Sequence, residues 1–345
     1  MTMRFMRLMV ALAAIAVFGE CRAQPAGDFY RGKQITIIVA SDAGSGYDAY
    51  ARLLSRHIGR YIPGNPYFVI QNLAAAGGMT MANQIANTSP KDGTVIAATQ
   101  ASAAFERLLH LLSPNGDVAR FDATKLNWLG TMTQEVNVLI ASAAAPATTI
   151  EQLKTTEFAN GAAGPNTDGA IVAILMNKML GTKIKLVTGY TGAAGEFLAI
   201  ERREIDGAAL NFGSALALKP DIVTDPKFKI VLQTGEAPHP KLKHVPFLTD
   251  IVKTEEDKAM LELIFSKFKM GKPFFVAEGV PADRVALLRE AFDKTMKDPE
   301  FLADADKSGL EIDPADGVEI QKLVQKLYAV PEERVIMARK ILGRE

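Results

Sequence analysis

The residues best placed to do chemistry lie in two glycine-rich stretches. The first, Ser41-Asp42-Ala43-Gly44-Ser45-Gly46, follows an apolar run from Ile35 to Ala40 and leads directly into Tyr47-Asp48-Ala49-Tyr50-Ala51-Arg52-Leu53-Leu54. The apolar run is a buried-strand pattern, and Tyr50, Leu53, Leu54 and Ile58 then recur at helical spacing with the arginines turned away. The opening N–H groups of a helix have no intrahelical acceptor, and its dipole is positive at that end. Strand, glycine loop and helix in this order therefore predict an anion site at Gly44 to Tyr47. The second stretch, Ala74-Ala75-Ala76-Gly77-Gly78, follows the strand pattern Tyr67 to Asn72. Its paired glycines either make a tight turn or let a ligand approach the backbone.

Other chemistries fit the same residues less well. Gly44-Ser45-Gly46-Tyr47-Asp48-Ala49 matches the G-x-G-x-x-G/A dinucleotide fingerprint after a strand, which would make the chain a dinucleotide-dependent enzyme. That fingerprint needs an acid about 20 residues on to hold the ribose, whereas the second strand ends in Gln71 and Asn72. Ser45 is not a nucleophile elbow, because Ala43 and Tyr47 stand where G-x-S-x-G requires glycine. His57, His110, His239 and His244 have no metal-ligand spacing. Asp48 has two readings, a member of the binding loop or an acid that only complements the helix dipole, worth about 0.3–1 kcal/mol. Trp128 fits a core position as well as a site, and Asp206 before Gly207 reads as a turn residue.

The remaining composition narrows the function further. Arg4 and Arg7 precede an apolar run from Leu8 to Phe18, and Cys21-Arg22-Ala23 places small residues for cleavage after Ala23. Residues 1–23 therefore read as a secretory signal peptide, since the 11-residue run is too short to cross roughly 30 Å of hydrocarbon. Acylation at Cys21 as a lipoprotein is the second reading, with Glu20 an unusual neighbour for it. Cleavage leaves a mature chain without cysteine, hence without disulfides or a catalytic thiolate. It also leaves 36 basic against 38 acidic residues, with no basic run to suggest nucleic acid or an anionic membrane. An exported, periplasmic protein without cofactor or metal is expected.

These residues need a scaffold, and the pattern supplies an α/β one. Strand patterns at Ile35–Ala40, Tyr67–Asn72 and Thr94–Thr99 alternate with helical ones, which implies a parallel sheet with its loops at the carboxyl ends of the strands. Two extended pieces, Leu126–Gly130 and Val136–Ala141, mark a chain crossing. A second α/β unit follows: a helix at Ile150–Phe158, a loop at Gly161–Gly169, a helix at Ala170–Leu180 and a strand at Lys183–Val187. The loop Thr188–Ala193 opens a helix through Arg202, and Ile205–Asn211 and Phe228–Thr234 complete the unit as strands. Pro273–Ala277 returns as a strand, and helices follow Val280-Pro281, Pro314 and Pro331.

Read in order, the chain resembles the Bug-type receptors of tripartite tricarboxylate transporters. The resemblance rests on Gly44-Ser45-Gly46-Tyr47-Asp48 with Ala51-Arg52-Leu53-Leu54, Asn72 with Ala76-Gly77-Gly78, and Pro90-Lys91-Asp92-Gly93-Thr94. It continues through Gly189-Tyr190-Thr191-Gly192, Glu204-Ile205-Asp206, Val245-Pro246 and Gly279-Val280-Pro281. It implies a two-lobed periplasmic binding protein of the Venus-flytrap class, type II, each lobe a mostly parallel sheet flanked by helices and joined by two crossing strands. The lobes would be residues 24–140 with 270–345, and 141–269. Such receptors hold one carboxylate on backbone N–H groups and waters rather than on an arginine, which agrees with the absence of Arg and Lys from Ser41 to Tyr47. Charge-assisted hydrogen bonds contribute about 1.5–3 kcal/mol each. Four reach, before closure costs, the roughly −8 kcal/mol of a micromolar complex.

Carried over by position, the resemblance implies first-lobe contacts from Ser41, Gly44, Ser45, Gly46, Tyr47 and Asp48, from Ala76, Gly77 and Gly78, and from Thr99 and Ser102. The second lobe would add Asn166, Thr167 and Asp168, then Tyr190, Thr191 and Gly192, with Asn211 nearby. Three departures stand out: Asp42 in a normally apolar loop, the bulk of Tyr47, and the loose match of Gly164 to Asp168. The implied protein is a monomeric receptor, not an enzyme, that delivers a dicarboxylate, tricarboxylate or aromatic acid to the membrane subunits of a transporter. A ligand-sensing subunit for a membrane kinase would share the fold.

Overall fold

A computed structural model describes residues 26–113, 118–164 and 167–344. The leader, Cys21, the cleavage position after Ala23 and Asn166 lie outside the described residues. The first sheet comprises β1 (Gln34–Val39), β2 (Tyr67–Asn72), β3 (Val95–Ala98), β4 (Asn127–Thr131), β10 (Pro273–Val276) and β11 (Ala315–Asp316), in the order β11-β4-β10-β3-β1-β2. The second comprises β5 (Val136–Ser142), β6 (Phe158–Ala162), β7 (Ile184–Thr188), β8 (Gly207–Asn211) and β9 (Phe228–Gly235), in the order β7-β6-β8-β5-β9. Each sheet is parallel through its βαβ units and antiparallel where a crossing strand joins it, so both are mixed.

The local reasons for these elements are visible in β1 and the helix Gly46–His57. Ile35, Ile37, Ile38 and Val39 are all buried, because helices cover both faces of the sheet. Ser45 sits in extended backbone and its hydroxyl accepts the Asp48 N–H, capping the helix. Tyr50, Leu53, Leu54 and Ile58 bury the expected stripe.

Two chain crossings connect the sheets. One runs from Thr131 at the end of β4 to Val136 at the start of β5, so the expected boundary at residue 140 falls inside β5. The other returns through residues 266–272 into β10. They lie antiparallel and bonded: Met132 N–H to Lys272 O at 3.1 Å, Gly271 N–H to Thr133 O at 3.1 Å, and Glu135 N–H to Phe268 O at 2.7 Å. A Cβ on Gly271 would stand 2.7 Å from the Thr133 carbonyl, so only glycine lets the crossings approach this closely. The core is continuous from Trp128, Phe275 and Phe292 in the first lobe, through Leu261, Phe265 and Phe268, to Val172, Leu175 and Leu232 in the second. Trp128 is a core residue, its Nε1 donating to Ala123 O at 3.0 Å.

Three parts of the second lobe and the C-terminal half differ from the sequence reading. The helix expected to reach Phe158 stops at Thr155, and Phe158–Ala162 is strand β6, between β7 and β8. Phe-Ala-Asn-Gly-Ala has no β-branched residue. Its strand state comes from a central position in the sheet, which overrides weak local preference. The helices Glu255–Phe265 and Pro299–Lys307 are further elements that the sequence reading did not place.

Candidate functional site

The loops after β1, β2 and β3 in the first lobe, and after β6, β7 and β8 in the second, hold the residues singled out by sequence. The first loop is organised by Asp48. Its Oδ2 accepts the Gly44 N–H at 2.8 Å and Arg52 Nε at 2.8 Å, and its Oδ1 accepts Asn72 Nδ2 at 2.9 Å. Asn72 Nδ2 also donates to Ser41 O at 3.0 Å, and the Ser41 and Ser45 hydroxyls share a bond of 2.6 Å. Asp48 is 2% exposed, so it staples the loop rather than contacting a ligand, and the Gly44 amide is committed to it. Burial pushes its carboxyl up, but the bonds from Arg52, Gly44 and Asn72 outweigh this and hold its pKa at about 2. Gly46 and Tyr47 open the helix, so their N–H groups are the ones the fold leaves for an anion.

That shift has a measurable consequence. A carboxyl depressed from 3.8 to about 2 in the folded state contributes about 2 kcal/mol of stability. The contribution is present above the unfolded value and lost as pH falls through the folded one. Asp48→Asn is expected to cost about 2 kcal/mol at pH 7, with the difference from the parent protein closing towards pH 2. Urea unfolding across that range measures it, and a constant difference would show that the charge is not responsible.

The other first-lobe positions divide between loop architecture and open cleft. Ala76, Gly77 and Gly78 form a short 3-10 turn, in which Gly78 at φ 90° backs onto Ala40 and Ala76 is exposed. Thr99 is 0% exposed, and its buried hydroxyl has no hydrogen-bond partner among the described residues. Ser102 lies in the first turn of the helix Ala101–Leu109 and faces a cavity of about 340 Å³.

In the second lobe, Thr167 and Asp168 face that same cavity at the start of the helix Asp168–Leu180. The Thr167 hydroxyl donates to Gly164 O at 2.9 Å, and Asp168 pairs with Lys267. Tyr190 packs beside Gly161, while Thr191 and Gly192 are exposed at the start of the helix Gly192–Glu201. Asn211 accepts the Ser214 N–H at 3.0 Å as a helix cap and borders a second, larger cavity of about 1000 Å³. Gly46 lines this larger cavity, and Tyr47 and Glu135 line both. Asp42 is exposed and lines neither.

The residues that sequence reasoning missed are the charged ones on the crossings. Lys272 Nζ donates to Glu135 Oε1 at 2.6 Å and stands 4.6 Å from the Tyr47 ring centroid and 5.6 Å from that of Tyr50. Burial, then the negative charges of Glu135 and Asp168, push the Tyr47 phenol far above its ordinary pKa, so it stays protonated. On the far side of the larger cavity, His239 Nε2 meets Glu311 Oε1 at 3.0 Å. His239 Nδ1 accepts the Lys241 N–H at 3.1 Å, which fixes the proton on Nε2 and makes the ring the donor to Glu311. A lone lysine before Pro273-Phe274-Phe275 carries no signal in sequence that it will face Tyr47.

The model for the tripartite tricarboxylate transporter family receptor matches residues 60–341, beginning after the first glycine loop. No curated protein sequence matches the chain. Similar solved structures include a TctC solute-binding protein from Polaromonas, at 16% identity and TM-score 0.68 over 90% of this chain and 98% of that one. The MatC protein of Rhodopseudomonas palustris, solved with bound malate, is 16% identical, with TM-score 0.58 over 90% of this chain and 99% of that one. Rpa4515 of R. palustris, solved with adipate, is 18% identical, with TM-score 0.61 over 90% and 97%. At these identities the likeness is one of fold, the two-lobed periplasmic binding protein. Family and fold are those of solute-binding proteins rather than of enzymes. With most of its length matched by the family model, the chain belongs to the receptors of the tripartite tricarboxylate transporter family.

Proposed function

We propose that the protein captures a small carboxylate between its lobes and presents it to the membrane subunits of a tripartite transporter. The observation that carries this reading is the meeting of both lobes around Tyr47, which borders two cavities that also take in Ser102, Thr167 and Asp168 on one side and Gly46 and Asn211 on the other. The lobes lie on either side of the bonded crossings at 131–136 and 266–272 and turn about them. One carboxylate is held by the N–H groups of Gly46 and Tyr47, where the helix dipole favours negative charge. Malate and adipate in two proteins of the same fold are dicarboxylates of the size such a cleft takes. Export with cleavage after Ala23 places the receptor in the periplasm as a monomer.

The test is calorimetric titration with dicarboxylates, tricarboxylates and aromatic acids, on the parent protein and on Gly46→Asp. A Cβ at Gly46 meets nothing within 4 Å, and an acid in the first turn favours the helix, so the variant folds. Its fixed charge occupies the anion position and is expected to weaken carboxylate binding by at least about tenfold. Unchanged affinity would place the carboxylate elsewhere, and no binding by any acid would remove the receptor reading.

A further inference from the structure

The loop from Gly235 to Pro246, which also holds Pro238 and Pro240, leaves the second lobe at the end of β9 and reaches the first. Gln233, 1% exposed, sets its shape: Nε2 donates to Leu242 O and to Val245 O, both at 2.9 Å, and Oε1 accepts the His239 N–H at 2.8 Å. The His239 ring is held on two further sides. It meets the buried Phe212 ring edge-on with centroids 4.8 Å apart, and its Nδ1 accepts the Lys241 N–H at 3.1 Å. With the proton thereby on Nε2, the one donor of a fixed ring is aimed at Glu311 Oε1, 3.0 Å away in the first lobe.

Glu311 lies between the helix Pro299–Lys307 and β11, and its backbone is tied to the first lobe by Tyr50 Oη, which donates to Glu311 O at 2.9 Å. Among the described residues its carboxylate has no hydrogen-bond partner but His239. That bond outweighs burial, with help from the charge of Lys241, and holds the carboxyl below its ordinary range. The acid is therefore ionised at neutral pH, and the bond is charge-assisted. Both residues border the larger cavity, so the bond spans the space between the lobes. The two side chains are unequally sheltered, His239 at 11% exposed and Glu311 at 45%. Water can take over the acid when the bond opens, which makes the contact reversible rather than a fixed joint.

We propose that this loop is a latch: His239 and Glu311 hold the two lobes together in the ligand-free protein, so that part of the resting population is already closed. A ligand that binds only the closed form then gains affinity by as much as the latch raises the closed fraction. Neither residue needs to touch the ligand for this. The latch therefore stands whether or not the cleft takes a carboxylate.

The experiment reads the distance between the lobes with no ligand present. Residues 24–345 contain no cysteine, so Leu218→Cys in the second lobe and Lys307→Cys in the first, both exposed, accept a pair of spin labels. Pulsed electron resonance then gives the distance distribution, with native mass spectrometry verifying that nothing is bound. Glu311→Ala and His239→Asn, each made in the labelled protein, are expected to shift the population from the shorter to the longer distance and to lower the closed-to-open ratio by about threefold or more. Asparagine can still cap the Lys241 N–H through Oδ1 but ends short of Glu311. Glu311→Gln keeps an acceptor without the charge and should fall between parent and alanine. The double variant Glu311→Ala with His239→Asn should open no further than either single one, because both remove the same bond. Distances unchanged in both single variants, or effects that add in the double variant, overturn the latch.

Discussion

Glu196→Gln is expected to stabilise the folded protein by about 3 kcal/mol at pH 8 and to be nearly neutral at pH 4. Glu196 lies in the helix Gly192–Glu201 and is 4% exposed. Burial pushes its carboxyl up to about 7, against a smaller opposing effect of the Ala163 backbone. A folded pKa raised above the unfolded 4.5 means that the fold favours the neutral acid. The stability this provides is complete below the unfolded value, declines as pH rises, and is gone above about 7. Glutamine keeps the shape and the acceptor towards Ala163 but cannot ionise, so the variant should lack the decline. Urea unfolding between pH 4 and pH 9 measures the difference. A parent protein whose stability does not fall across neutral pH, or a variant that falls in parallel, would assign the titration to another group. The contact also ties this helix to the loop that leads to Thr167 and Asp168.

Gly169→Ala is expected to destabilise the protein by about 3 kcal/mol, at the upper end of what overpacking costs, and to weaken ligand binding at least about tenfold. A Cβ at this position would stand 2.3 Å from the Ala209 carbonyl oxygen on β8. That neighbour is backbone in a central strand and cannot swing aside, so the helix Asp168–Leu180 must lift off the sheet. Its first turn carries Asp168, and Thr167 precedes it, so the displacement reaches the smaller cavity directly. The sign of the effect is decisive, because alanine is otherwise the better helix former by about 1 kcal/mol. A variant more stable than the parent would show that helix and strand have room to separate, and that the close packing is not what positions Asp168.

Both predictions depend on contacts that no local pattern announces, whereas much of the first lobe was legible. The apolar run of β1, the Ser45 cap and the Tyr50–Leu53–Leu54 stripe are local features, set by side chains within one or two turns of each other. They were sufficient to predict a strand, a loop and a helix start able to hold an anion. The order of such units along the chain, with the glycine loops, carried the resemblance to transporter receptors. Local pattern failed at β6, where Phe158 to Ala162 is a strand because β7 and β8 flank it, not because its residues prefer extension.

The sequence by itself determined the α/β class, the loop-bearing ends of the strands and Tyr47 as a bulky residue at the helix start. What each polar side chain does there was decided only by tertiary structure. Asp48 was compatible with a ligand contact, a dipole partner or a staple. It became the staple because β1 and β2 pair, bringing Asn72, 24 residues away, onto its second oxygen. Lys272 and Glu135 are 137 residues apart and Lys267 and Asp168 are 99 apart. Their pairing comes from two crossings lying antiparallel against a helix of the second lobe. A charge's partner depends on distance in space, which periodicity and spacing do not encode. The helix start at Gly46 could therefore be read from the chain, and the mixed charges of the smaller cavity could not.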